Sequence, residues 1–127
     1  MTENEIAAII VDAAFAVHIA LGPGLLESVY ERALEHELKK RGLTVVRQWS
    51  IPCVYDGKPL GDPFRADMLV EGKVVVELKS LEVVPKVAYK IVLTYLRLGD
   101  KRLGLLINFG EEYIKDGIKR VVNNLQE

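Results

Sequence analysis

At 127 residues the chain is long enough to bury one hydrophobic core and too short for two independent ones, so a single domain over 1–127 is expected. Half of it is hydrophobic, which excludes a disordered polymer, and 17 basic against 18 acidic residues leave a net charge of -1, which excludes a global attraction to polyanions. Cys53 is the single cysteine, so an intrachain disulfide and a cysteine-rich zinc site are excluded and a reducing, cytoplasmic setting is the default expectation.

Thr2-Glu3-Asn4-Glu5 has the form of a capping box and opens an apolar run, Ile6 to Leu21, that predicts a helix over about 3–21. Asp12 and His18 interrupt the run, its leading flank is acidic, and Gly22-Pro23-Gly24 closes it, so a buried core helix is expected here and not a membrane span or signal peptide. A second helix is predicted from about Leu25 to Arg41, stopped by Gly42, with Leu26, Val29, Tyr30, Ala33, Leu34 and Leu38 as its inward stripe. On that stripe Glu27 projects between the directions of Leu34 and Leu38, which puts a carboxylate on the buried side. A first-turn acid also suits the helix dipole without any further role.

Next comes a strand over 44–55 interrupted at Pro52, and a turn at Asp56-Gly57-Lys58. The hairpin that follows has a register fixed by parity: Phe64, Ala66, Met68 and Val70 meet Val74, Val76 and Leu78 on one face only if Val70 opposes Val74. Glu71-Gly72-Lys73 is then a three-residue turn. The same register sets Asp67 opposite Glu77 and Arg65 opposite Lys79 on the second face, beside Leu69 and Val75. A helix over 85–98, a strand over 102–109 and a short helix over 114–124 complete the order. This order predicts an α/β fold of three layers, a mixed β-sheet flanked by helices.

Two carboxylates opposed across a strand pair repel, and burying either one without a partner is costly. A hard divalent cation, magnesium or manganese, would relieve Asp67 and Glu77, taking one or two carboxylates as ligands and keeping waters for phosphate oxygens. Lys79, two residues beyond Glu77 on the same face, would steady an anionic oxygen or help to activate a water. A solvated hairpin face of alternating charge is the plainer reading of the same triplet.

Gly24, Glu27 and Tyr30 spell the pattern of the GxxExxY proteins, and the chain resembles that family through Val17–Glu27, the Asp67 to Glu77-Leu78-Lys79 hairpin, and Arg102–Gly110. The family lies within the PD-(D/E)xK nuclease superfamily, so the resemblance implies a restriction-endonuclease-like core and metal-dependent phosphodiester hydrolysis. It implies Asp67 and Glu77 as metal ligands, Lys79 as the residue assisting the attacking water, and Glu27 as the helical acid that completes the catalytic and metal-binding set. Two positions depart from the pattern. Ala66 replaces the proline of the superfamily name, and Ile91 stands four residues before Tyr95, where many relatives have glutamine. The second departure keeps open a catalytically impaired module that binds nucleic acid or protein.

The expected partner is nucleic acid, with DNA favoured. A patch for it would draw on Lys79, Lys86, Lys90, Arg97, Lys101, Arg102, Lys119 and Arg120, although charge runs are commonly solvated faces. Tyr30, Tyr95, Lys90 and His18 are candidates for substrate contact. An aromatic on an apolar stripe and a histidine near a helix end are more often packed or capping groups. Gln48 is read as either reaching the site or facing solvent, and Asn108 and Gly110 as shaping a strand end. Apolar residues on the first helix could also pair two copies of the chain.

Overall fold

The computed structural model describes residues 1–126, so the last position of the expected 1–127 domain lies outside the described residues. Helix α1 (Glu3–Leu21) starts at the expected capping box: Thr2 accepts from the Glu5 amide, and Glu5 accepts in return from the Thr2 amide. One face of α1 is core, through Ile6, Ile10, Ala13, Ala14 and Val17. Helix α1 has the length and hydropathy of a membrane span; one face of it joins the core, while Phe15, Ile19 and Leu21 are exposed. Asp12 is exposed and pairs with Arg41 at the end of α2 (Glu27–Lys40).

The central sheet contains β1 (Val45–Ile51), β4 (Phe64–Val70), β5 (Val74–Lys79), β6 (Leu103–Asn108) and β7 (Ile118–Val122), in that spatial order. Between β1 and β4, the short strands β2 (Val54–Tyr55) and β3 (Lys58–Pro59) form a separate hairpin closed by Asp56 and Gly57, both at positive φ. Helix α3 (Val87–Gly99) joins β5 to β6 in parallel, and the other neighbours in the sheet are antiparallel. Helices α1 and α2 share one apolar cluster with Met68, Val70, Val76, Leu105 and Ile107, while α3 covers Leu69, Val75 and Leu106 on the opposite face. The expected three-layer α/β arrangement is therefore the observed one. Gly104 allows α3 to sit close: a Cβ there would lie 2.8 Å from Val92 Cγ1 and 3.4 Å from Leu96 Cδ2.

Three expectations are corrected. The segment after Phe109 is not a helix over 114–124 but a single 3-10 turn, Ile114–Gly117, followed by β7. Ile118, Val121 and Val122 are β-branched, and pairing with Leu103–Ile107 outweighs their helical spacing. On α2, Leu26 and Val29 are exposed, because the helix begins at Glu27 and its first turn overhangs the core; Tyr30, Leu34 and Leu38 carry the packing. The row Phe64, Ala66, Met68, Val70 does not share one face. Met68 and Val70 join the α1/α2 core, whereas Phe64 and Ala66 pack with Ile51 and Leu96 on the α3 side. The alternation inverts in β1 as well, where Val45 packs with the first cluster and Trp49 and Ile51 with the second. Gln48, at φ 53°, marks the inversion, and the register steps from Arg47↔Met68 to Trp49↔Ala66 without a Gln48↔Asp67 pair.

Candidate active site

The β4–β5 hairpin has the predicted register, with Val70 opposite Val74 across Glu71-Gly72-Lys73. Glu71, itself at φ 54°, anchors this turn by accepting from the amide and hydroxyl of Thr44 at 2.8 and 2.6 Å. The ladder ends at Met68↔Val76. Beyond it β4 continues with β1 and β5 continues with β6, so the two strands fork and Arg65 is not laddered to Lys79 as the parity argument expected.

Asp67 and Glu77 occupy the fork, and each carboxylate replaces a ladder partner. The Asp67 amide donates to Glu77 Oε1 at 2.7 Å, and the Leu78 amide donates to Asp67 Oδ2 at 2.7 Å. Their other oxygens, Asp67 Oδ1 and Glu77 Oε2, accept no hydrogen bond among the described residues. Glu77 is buried and Asp67 half-buried. Burial, reinforced by the charge of Asp67, pushes the Glu77 carboxyl up to about 7. Burial likewise raises the Asp67 carboxyl, helped by the charges of Glu31 and Glu27, and the Leu78 amide and Lys79 oppose the rise.

Lys79 is half-buried at the end of β5, and its ammonium lowers both carboxyls. Glu27 is exposed at the first position of α2, which corrects the expectation of a buried-side acid. Its negative charge nonetheless contributes to raising both the Asp67 and the Glu77 carboxyl. Tyr95, half-buried on α3 against Phe64, has its hydroxyl raised by burial and by the charges of Glu77 and Asp67.

The remaining candidates lie in other settings. The Tyr30 hydroxyl donates to the Gly22 carbonyl at 2.5 Å and accepts from the Leu25 amide at 3.1 Å, while its ring stacks on Phe109 at 4.4 Å. Tyr30 is thus committed to holding the turn that delivers Glu27, and it is fully buried. His18 is buried and bonds through Nε2 to the Glu111 carbonyl at 2.8 Å, tying α1 to the loop after β6. Lys90 is exposed on α3, with Lys86 and Arg97. Lys119 and Arg120 lie on β7. Asn108 does shape the strand end, bonding both the amide and carbonyl of Leu81, and a Cβ on Gly110 would strike the Leu81 carbonyl oxygen at 2.2 Å.

Glu31 is a residue that sequence reasoning missed. Buried on α2, it accepts from Arg47 at 2.8 Å and from Gln48 at 3.0 Å. At about 100° per residue it points within about 20° of Leu38, a signal as strong as the one that singled out Glu27.

Among the described residues no group of three or more histidine, cysteine or acidic side chains is arranged to hold a metal ion. The fork offers two carboxylates, the donor type that hard cations take, each with one oxygen held by a main-chain amide and one without a hydrogen bond among the described residues. A groove of about 740 Å³ between α1 and the β6–β7 edge is lined largely by apolar residues, and none of Glu27, Asp67, Glu77 and Lys79 lines it. The fork is the more chemically equipped of the two.

Comparison with curated proteins and with solved structures gives no match. Comparison with protein families matches residues 4–121 to a family described as PD-(D/E)XK nuclease superfamily. With that span embracing the fork and every layer of the fold, the chain belongs to the PD-(D/E)XK nuclease superfamily.

Proposed function

We propose that the protein is a divalent-metal-dependent nuclease of the GxxExxY type that hydrolyses phosphodiester bonds at the β4–β5 fork. The observation that carries this reading is the pair of unclaimed oxygens, Asp67 Oδ1 and Glu77 Oε2, in a fork where burial and mutual repulsion disfavour two bare charges. Those two oxygens would hold magnesium or manganese, which supplies Lewis acidity toward a phosphoryl oxygen and activation of water. Lys79 sets a positive charge at the end of β5 against a phosphate oxygen. Glu27, free in solvent at the start of α2, orients a water or receives its proton. The Asp67 and Leu78 amides fix the carboxylate rotamers, so the acids meet substrate already oriented.

The test is cleavage of labelled DNA and RNA, single- and double-stranded, with manganese or magnesium, by the wild type and by Asp67→Asn, Glu77→Gln and Lys79→Ala. Loss of cleavage in all three folded variants supports the reading, and full activity in any one of them removes it. A second reading, a non-catalytic module, is favoured by Ile91: it is 41% exposed one turn before Tyr95, where an apolar side chain makes no polar contact with substrate. That reading is supported if nucleic acid binds without metal-dependent turnover and Asp67→Asn binds as the wild type does.

A further inference from the structure

Among the described non-glycine residues at positive φ, Gln48 alone lies inside a strand of the main sheet; Asp56, Glu71, Asp100 and Asn124 lie at turns or beyond strand and helix ends. A left-handed backbone at a side-chain-bearing strand position is unfavourable and persists only where its surroundings hold it. Here the Gln48 amide group donates to Oε1 of Glu31, its one acceptor among the described residues. The consequence falls on the neighbouring strand. Where Gln48 would ladder with Asp67 the pairing is absent, the facing of both strands inverts, and the Asp67 amide turns to Glu77.

We propose that Glu31 is a positioning residue: its buried carboxylate tethers the Gln48 side chain, holds the Gln48 backbone left-handed, and so keeps Asp67 out of the β1–β4 ladder with its carboxylate turned into the fork. This rests on the reading of Asp67 and Glu77 as the metal-holding pair. Glu31 is not itself a ligand in this arrangement, because Oε1 is taken by Gln48 and Oε2 by Arg47. Arg47 has a second acidic partner, since it also reaches Glu35 at 3.2 Å.

The experiment compares wild type, Glu31→Ala, Gln48→Gly and the double variant by manganese calorimetry and by amide hydrogen exchange at Asp67 and Leu78. Glu31→Ala is expected to weaken manganese binding about tenfold or more, the range for a residue that orients a ligand, and to speed exchange at both amides. Glycine at 48 adopts a positive φ without a tether, so the double variant is expected to regain both affinity and protection. A merely stabilising ion pair would not be rescued that way. Unchanged affinity and protection in Glu31→Ala, or losses that glycine at 48 does not restore, overturn the proposal. If the wild type takes up no manganese, the metal reading fails, and the exchange pattern alone decides the role of Glu31 by the same rescue. Should Glu31→Ala not fold, Glu31→Gln keeps an acceptor for Gln48 and is expected to retain slow exchange; fast exchange in folded Glu31→Gln overturns the proposal.

Discussion

The main-chain amide of Asp67 donates to the side chain of Glu77, while the Asp67 side chain accepts from the amide that follows Glu77. Each acid is therefore held by the other strand's backbone in a reciprocal clasp, and the two cannot be moved independently. Replacing Asp67 with Asn keeps an acceptor for Leu78 and removes a desolvated charge. Asp67→Asn is expected to lower cleavage at least about a hundredfold while leaving the melting temperature equal or higher, as removal of a functional, destabilising charge does. A nuclease assay paired with thermal unfolding checks both halves.

The raised Glu77 carboxyl makes the metal-free protein pH-sensitive. A carboxyl that titrates near 7 when folded and near its ordinary 4.5 when unfolded binds its proton more tightly in the native state. Its stabilising contribution is complete below 4.5 and is lost as pH rises through about 7. The metal-free protein is expected to be less stable at pH 8 than at pH 5, with Glu77 alone contributing about 2–3 kcal/mol at 1.4 kcal/mol per pKa unit. Asp67 shifts in the same direction. Urea unfolding across this range is the measurement, and Glu77→Gln is expected to flatten the profile.

Gly104 sets how closely α3 approaches the sheet. A methyl group there meets Val92 Cγ1 at 2.8 Å, so Gly104→Ala is expected to destabilise by about 1–3 kcal/mol through overpacking. Tyr95 rides on the same helix, and a fall in turnover should accompany the change. Denaturant midpoints and steady-state rates on the one variant test this.

Tyr30→Phe deletes one hydroxyl that both donates to Gly22 and accepts from Leu25. The expected cost is about 1–2 kcal/mol, together with a looser approach to Glu27. Lower kcat at little-changed KM, alongside the drop in stability, is the predicted outcome.

Much of this site can be read in the sequence because hairpin parity is a strong constraint: Val70 against Val74 carries Asp67 and Glu77 to the same level, one step beyond the last ladder pair, Met68↔Val76. Parity carries no warning of an inversion. Gln48 is not a turn residue, and its left-handed backbone goes with a tertiary hydrogen bond to Glu31 some 17 positions away. That one residue divides the Phe64–Val70 row between two layers. The last segment misled for a different reason. Ile114, Ile118 and Val121 have helical spacing, and only the free edge of β6 decides for a strand.

Trp49, the single tryptophan, follows Gln48 directly; a Cβ on Gly99 would lie 2.4 Å from its ring, and the Lys101 ammonium sits 5.6 Å from its centroid. The chain thus carries an intrinsic fluorophore next to the residue where the strand inverts, quenched or shifted by any loosening of α3 from β1. Emission of the unlabelled protein reports on that junction during folding and on cation addition, with no probe introduced.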